Sequence, residues 1–396
     1  MKNLRKDFPY FKSKQQAVFF DSAASSQKPI VMIERLQQFY SYEYANIHRG
    51  VYDLSATATQ KFENARQSVA RFINASSSNE IIFTKNATEG INLIASSLAG
   101  SILKENDEVL ISIMEHHSNI IPWQQICAQK NAKLRIIPIN QNGEIELKEV
   151  EKLISLKTKI ISITHMSNIF GSIVDVAGIV KIARKYDTKV VIDACQSVAH
   201  MDIDVQSLDC DFLVFSAHKL YGPTGVGILY GKKTLLNKMP PYQTGGATIK
   251  HVTFTNSEFL SAPLRFEAGT PMIAEVIAFG TVLDYLTENN WEENWQNEKD
   301  LTSFIKTAIK QIEGFKIFGD NQNGIISLLH ERAHHADIGE ILNQQNIAVR
   351  TGHHCAQPLM RFLSITGTAR ISLGIYNNFL DAEKLIYALQ QVNKLF

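Results

Sequence analysis

The stretch 211–231, DFLVFSAHKLYGPTGVGILYG, decides the fold. It holds two β-rich runs, DFLVFSAH and VGILYG, with only KLYGPTG between them. That link is too short for a helical crossover, so the two strands are expected to pair antiparallel. Upstream, similar runs recur: EIIFT (80–84), DEVLISI (107–113), AKLRIIPI (132–139), KIISITH (159–165) and KVVIDAC (189–195). Segments such as EGINLIASSLAG (89–100) and DVAGIVKIARKYD (175–187) are long enough for crossover helices, which predicts a mainly parallel sheet covered on both faces. The expectation is an α/β fold around a mixed, mostly parallel seven-stranded sheet.

After about residue 275 the pattern changes to the helical EVIAFGTVLDYLTENNWEENWQNEKDLTSFIKTAIKQI, then FKIFGD, GIISLLHE, IAVRTGHHC and ARISLGIY. This reads as a smaller α+β domain over 276–396, after a large domain over 21–275. Residues 1–20 carry no core of their own and are expected to pack against the small domain. The sequence of 396 residues is 45% hydrophobic, enough for a substantial core. Lys plus Arg (40) nearly cancels Asp plus Glu (39), so nothing points to nucleic acid or an anionic membrane. The early apolar AVFF falls short of a signal-peptide core of about 7–15 residues, and no run approaches the roughly 20 of a membrane span. A soluble cytoplasmic protein is expected. Cys127, Cys195, Cys210 and Cys355 are scattered without the spacing of a zinc site, so free thiols in a reducing compartment are expected, and no metal.

In open α/β sheets ligands sit at the carboxyl ends of the strands, and reactive side chains gather there. KVVIDACQS ends in Asp193 and Gln196; the quoted stretch brings Ser216, His218 and Lys219 ahead of a Gly/Pro loop. A lysine so placed can form a Schiff base, and an acid on the neighbouring strand can keep a pyridine nitrogen protonated, which is what pyridoxal 5'-phosphate needs. IIFTKNATEGINLIASS offers a phosphate cradle at Asn86, Ala87 and Thr88, where a helix opens after a strand. MEHHSN supplies His116 and His117, either to stack on a flat ring or to pass a proton, and THMSN brings Asn168 toward a phenolic oxygen. Singly, Asp193 reads as a helix cap and Lys219 as a solvated lysine. Together, five strand ends carry the groups that one cofactor requires. In RTGHHCAQP (350–358), Gly352 and Pro358 place Cys355 in a loop behind His353 and His354.

SAHKLYGPTGVGILYG, VVIDACQSVAH, MEHHSNIIPW, NATEGINL, NIHRGVY, FEAGTP and VRTGHHCAQPLM, in order over nearly the whole chain, resemble the Suf-type, or group II, cysteine desulfurases and selenocysteine lyases. These lie in the class V aminotransferase branch of the fold-type I pyridoxal-phosphate enzymes. The resemblance implies Lys219 as the Schiff-base lysine, Asp193 as the pyridinium partner, Gln196 on the phenolic oxygen and His116 stacked on the ring. It implies that Thr88, Ser216 and His218 hold the phosphate, with Thr270 of FEAGTP reaching the phosphate of the other subunit of a homodimer. It implies Arg370 as the grip on the substrate carboxylate, with Arg350 a second active-site arginine and Asn168 and His48 lining the same pocket. Cys355 matches the persulfide-forming cysteine on a loop whose sulfur swings from cofactor to acceptor. The other cysteines read as structural.

The implied reaction takes L-cysteine to L-alanine and passes the sulfur from Cys355 to an acceptor protein for Fe–S assembly, with L-selenocysteine lysis as a side activity. A zinc-free SufE-like acceptor is favoured over a zinc-containing one, because Ala336 stands in ERAHHAD (331–337) where a partner-engaging histidine is expected. Two rivals keep the fold: an aminotransferase or a lyase acting on selenocysteine or cysteine sulfinate, and an interaction protein that has lost catalysis. No motif position is broken, which argues against the latter.

Overall fold

The computed structural model describes residues 4–13 and 16–396; residues 1–3 and 14–15, within the expected amino-terminal segment, lie outside the described residues. All seven expected runs form strands: β1 (Ile81–Thr84), β2 (Glu108–Ser112), β3 (Lys133–Ile137), β4 (Thr158–Thr164), β5 (Lys189–Asp193), β6 (Phe212–Ser216) and β7 (Gly227–Gly231). They lie in one sheet in the order β1-β7-β6-β5-β4-β2-β3. Pairing is parallel from β6 to β3. β7 runs antiparallel to both β6 and β1, as its short link demands.

Burial on both faces explains why the central runs are nearly all apolar. Ile81, Phe83, Val190, Ile192, Leu213 and Phe215 enter one core, while Ile82, Val191, Phe212 and Val214 enter the other. The first core is covered by α1 (Asp53–Phe72), α4 (Val176–Arg184) and α5 (Ile273–Glu288), and the second by α2 (Ala87–Leu93) and α3 (Ile121–Lys130). Both faces are sealed, so polar chemistry is confined to the strand ends.

The expected helical stretch after residue 275 is two helices, α5 and α6 (Glu293–Ile309), separated at Asn289 and at Asn290, which takes a left-handed turn (φ 48°). A second, antiparallel sheet follows in the order β8-β9-β11-β10, from β8 (Phe315–Phe318), β9 (Ile325–His330), β10 (Arg350–Gly352) and β11 (Thr368–Ser372). Its core takes Leu301 and Ile305 of α6 and Leu385 and Leu389 of α7 (Phe379–Leu395). Near the amino terminus Arg5 grips Asp381 of α7 through both carboxylate oxygens (2.6 and 3.2 Å), and Phe8 meets Tyr376 edge-on. A hairpin of residues 249–252 and 257–259 carries no expectation from the sequence; it stands in solvent, with Phe254 fully exposed in its turn. Among the described residues no helix is long and apolar enough to cross a membrane.

One buried ion pair ties the helical layer to the sheet edge. Arg66 of α1 is buried; its guanidinium meets both carboxylate oxygens of Glu267 (2.6 and 2.9 Å) and donates to the Ile81 carbonyl at 3.0 Å. Glu267 in turn accepts the Phe83 N–H at 2.7 Å. Removing only the cation would leave a buried carboxylate uncompensated. Arg66→Met is therefore expected to cost about 3–5 kcal/mol, read from the urea midpoint, and Arg66→Met/Glu267→Leu to recover most of it.

Candidate active site

The strand ends converge on a cavity of about 250 Å³. β1 and α2 contribute Ala87 and Thr88, β2 His116, β4 Asn168, β5 Asp193, Cys195 and Gln196, and β6 Ser216, His218 and Lys219; the second sheet closes it with Arg350, His354 and Arg370. Eleven of the expected site residues thus line one cavity. Cys355 stands beside it, its Sγ 3.7 Å from Arg350 Nη2. His48 and Thr270 lie elsewhere: both line a second cavity of about 380 Å³ with Gly246 and Pro271, so the pocket expected to join His48 to Asn168 and Arg370 is not closed within one chain.

The β1–α2 turn is built as an anion cradle. Asn86 caps α2 by accepting the Glu89 N–H at 2.9 Å, Ser216 Oγ accepts the Ala87 N–H at 2.9 Å, and Thr88 Oγ1 meets Ser118 Oγ at 2.7 Å. Only glycine fits opposite, because a Cβ on Gly227 would stand 2.3 Å from the Asn86 carbonyl carbon. The Ser118 N–H donates to His116 Nδ1 at 3.1 Å, which fixes the ring; burial and the neighbouring Lys219 then push the imidazole down to about 4. His116 is a neutral ring at physiological pH. Asp193 is anchored by the Cys195 N–H at 2.9 Å. The amides of Gln196 and Asn168 already have partners in the chain, the Ala23 carbonyl and the His354 carbonyl, each at 2.9 Å.

The second sheet supplies positive charge under strain. Arg350 and Arg370 are direct cross-strand partners, an arrangement in which like charges repel. Arg370 is buried; it donates to the Asn168 carbonyl (3.2 Å) and to Asp21 (3.3 Å), and its Nε has no partner among the described residues. A buried guanidinium with a free donor beside a second arginine is a seat for a carboxylate. The fit to pyridoxal phosphate is likewise of one piece: an amine and a carboxylate on adjacent strand ends, an anion cradle, and a neutral aromatic ring.

The loop that carries Cys355 is a docked turn. Its residues Gly352, His354 and Cys355 all have positive φ (108°, 50° and 57°). The His117 N–H donates to the Cys355 carbonyl at 2.7 Å, the Gln357 N–H to His117 Nε2 at 3.1 Å, and the Cys355 N–H to His353 Nδ1 at 3.0 Å. His117, read from the sequence only as a neighbour of His116, is thus the dock of the cysteine turn. The segment Asp21–Lys28, between Arg370 and the His218 carbonyl, was also missed; its small residues carry no periodic signal. Cys127 and Cys210 are buried, and burial pushes their thiols up to about 11 and about 12; burial raises Cys195 further.

Four histidines in or near the cavity are held down by burial: His116, His165 and His218 at about 4, His354 at about 3. Each is harder to protonate in the folded chain than in the unfolded one. Their contribution to stability is complete above pH 6.5 and is lost as pH falls toward 4, by at most about 1.4 kcal/mol per pH unit for each ring. Urea midpoints measured from pH 7.5 down to 4.5 are expected to fall, and less steeply in His165→Asn.

The model of the family described as Aminotransferase class-V matches residues 18–385. A cysteine desulfurase of Cronobacter sakazakii is 41% identical over 400 residues, covering 100% of this chain and 98% of that protein. A cysteine desulfurase of Synechococcus elongatus is 42% identical over 394 residues; there the match spans 98% of this chain but 63% of the longer relative. The crystal structure of the cysteine desulfurase CsdA (S-sulfonic acid) from Escherichia coli superposes with a TM-score of 0.94 at 35% identity, covering 99% of this chain and 98% of that one. The chain belongs to the class-V aminotransferase family, and the cysteine desulfurases are its homologues.

Proposed function

We propose that the chain is a pyridoxal-phosphate-dependent cysteine desulfurase that converts L-cysteine to L-alanine and receives the sulfur on Cys355. The observation that carries this reading is the Cys355 thiol 3.7 Å from Arg350, on the rim of the cavity that holds Lys219, Asp193 and Arg370. Lys219 would bear the cofactor, Asp193 keep its ring nitrogen protonated, Ala87, Thr88, Ser216 and His218 hold its phosphate, and Gln196, Asn168 and His116 pack about the ring. When bound, the cofactor supplies an electron sink that acidifies the α-proton of the amino acid.

Arg370 seats the substrate carboxylate through its free Nε, and Arg350 stands between that seat and Cys355. Lys219, as an amine, would take the α-proton. The Cys355 thiolate attacks the substrate sulfur: the substrate C–S bond breaks, an S–S bond forms, and the carbon fragment takes a proton to leave as alanine. The sum is L-cysteine plus Cys–SH giving L-alanine plus Cys–S–SH, with no outside oxidant. A neutral His116 beside Lys219 can relay a proton without adding charge.

The second cavity supports a homodimer. His48 and Thr270 line a separate hollow, and exposed Tyr42, Val51 and Tyr52 flank His48 in sequence, so a second copy would bring Thr270 to its partner's phosphate and His48 to its substrate pocket. The chain is read as a large domain over 21–275 and a small one over 276–396, with residues 1–20 packed on the latter. The acceptor is read as SufE-like and zinc-free, since Ala336 follows His334 and His335, whose rings meet at a tilt, the sulfur as destined for Fe–S assembly, and the place of action as the cytoplasm.

Purified protein is expected to be yellow, and with L-cysteine and a thiol reductant to yield equimolar alanine and sulfide. Cys355→Ala should keep the colour and lose about a hundredfold or more of that activity while retaining selenocysteine lysis, because selenium is the easier leaving atom. Alanine formation from cysteine unchanged in Cys355→Ala would sink the persulfide role. Lys219→Ala should bind pyridoxal phosphate only reversibly, leaving no colour after dialysis.

A further inference from the structure

The carbonyl oxygen of His218, in the peptide bond that leads into Lys219, is crowded with donors. Lys28 Nζ approaches to 2.8 Å, the Ser26 N–H and Ser26 Oγ each to 3.0 Å, and Ser25 Oγ to 3.4 Å. A carbonyl has two lone pairs, so four donors on one oxygen mark a point the fold holds hard. Ser26 does more. Its hydroxyl also accepts the Tyr221 N–H at 2.8 Å, so one side chain spans the turn that presents Lys219, from the residue before it to the second residue after. Tyr221 itself sits at φ 60°, a conformation that a bulky residue keeps only when its surroundings impose it.

Lys28 is an odd choice for this duty. It is largely buried, and among the described residues it forms no ion pair with a carboxylate; the His218 carbonyl is its hydrogen-bond acceptor. A desolvated amine is costly, and a neutral donor could satisfy a carbonyl as well. Burial pulls the amine down to about 7, so near neutral pH it holds the carbonyl both as an amine and as an ammonium, and the ammonium form adds a charge-assisted bond roughly twice as strong as a neutral one. Its field also falls on the His218 ring, which Lys219 acts on as well.

We propose that Lys28 and Ser26 are positioning residues for Lys219: together they bracket the turn on both sides of it and aim its amine into the cavity. The proposal rests on the function proposed above only in giving Lys219 the cofactor. Lys28 is absent from the cavity lining, so it acts through the backbone.

The test compares holoenzyme of the wild type, Lys28→Met and Ser26→Ala in three readouts: visible absorbance, induced circular dichroism of the yellow band, and steady-state kinetics with L-cysteine. Both variants are expected to take up pyridoxal phosphate with unchanged absorbance but to lose about half or more of the dichroism, since the chromophore is no longer held in one geometry. kcat should fall about tenfold or more in Lys28→Met and about threefold in Ser26→Ala, while KM stays within about twofold because Arg350 and Arg370 are untouched. Dichroism and kcat within about twofold of wild type in both variants, or a loss confined to thermal stability, would overturn the bracket. Should Lys28→Met fail to fold, Ser26→Ala, which removes one hydroxyl, decides by the same measures. A wild type that binds the cofactor and leaves cysteine intact defeats the desulfurase reading, yet its dichroism still decides the bracket. A wild type that takes up no pyridoxal phosphate overturns both.

Discussion

A sheet buried on both faces dictates everything that follows. Its central strands β5, β6 and β7 are almost wholly apolar because their successive side chains enter one of two cores, while the edge strand β3 (KLRII) is partly exposed. Polar groups are expelled to the ends, and parallel pairing sends the carboxyl ends of β2, β4, β5 and β6 to one side. The one antiparallel strand, β7, closes the arrangement by bringing Gly227 against the start of α2, where any larger residue would displace the cap. The cavity is thus what remains when the rest has been made dry.

Within it the charges are unequal. Lys219, Arg350 and Arg370 face Asp193 and Asp21, and the balance is positive. Burial and these cations keep the imidazoles of His116, His218 and His354 neutral, so the rings act by shape and hydrogen bonding. An anion is the ligand that relieves both the excess charge and the repulsion between the paired arginines. On the proposed reaction, the amino-acid carboxylate and a phosphate would each do so at a different end.

Much of this was legible in the sequence, for a physical reason. Strands buried on both sides advertise themselves as unbroken apolar runs, and a seven-residue link between two of them can only turn back. Lys219, Asp193 and Thr88 stood out because each lies at or within four residues of the end of such a run. Partners in space did not stand out. A sequence shows that Asn168 can donate, but not that it donates to the cysteine turn; it shows a glycine beside Cys355, but not that the turn is docked on His117. The exposed hairpin at 249–259 escaped because it has no buried face to impose a period. His48 and Thr270 line a different cavity, and a sequence does not show which of two hollows a residue lines.

The inertness of the remaining thiols has a consequence for where sulfur can go. Exchange of sulfur between groups requires a thiolate, and burial keeps Cys127, Cys195 and Cys210 protonated at neutral pH. On the proposed reaction, a sulfane atom loaded on Cys355 then has no resolving cysteine within its own chain. It cannot be sealed into an internal disulfide or wander to another site. The loaded protein is a one-seat carrier, whose cargo can be unloaded only from outside.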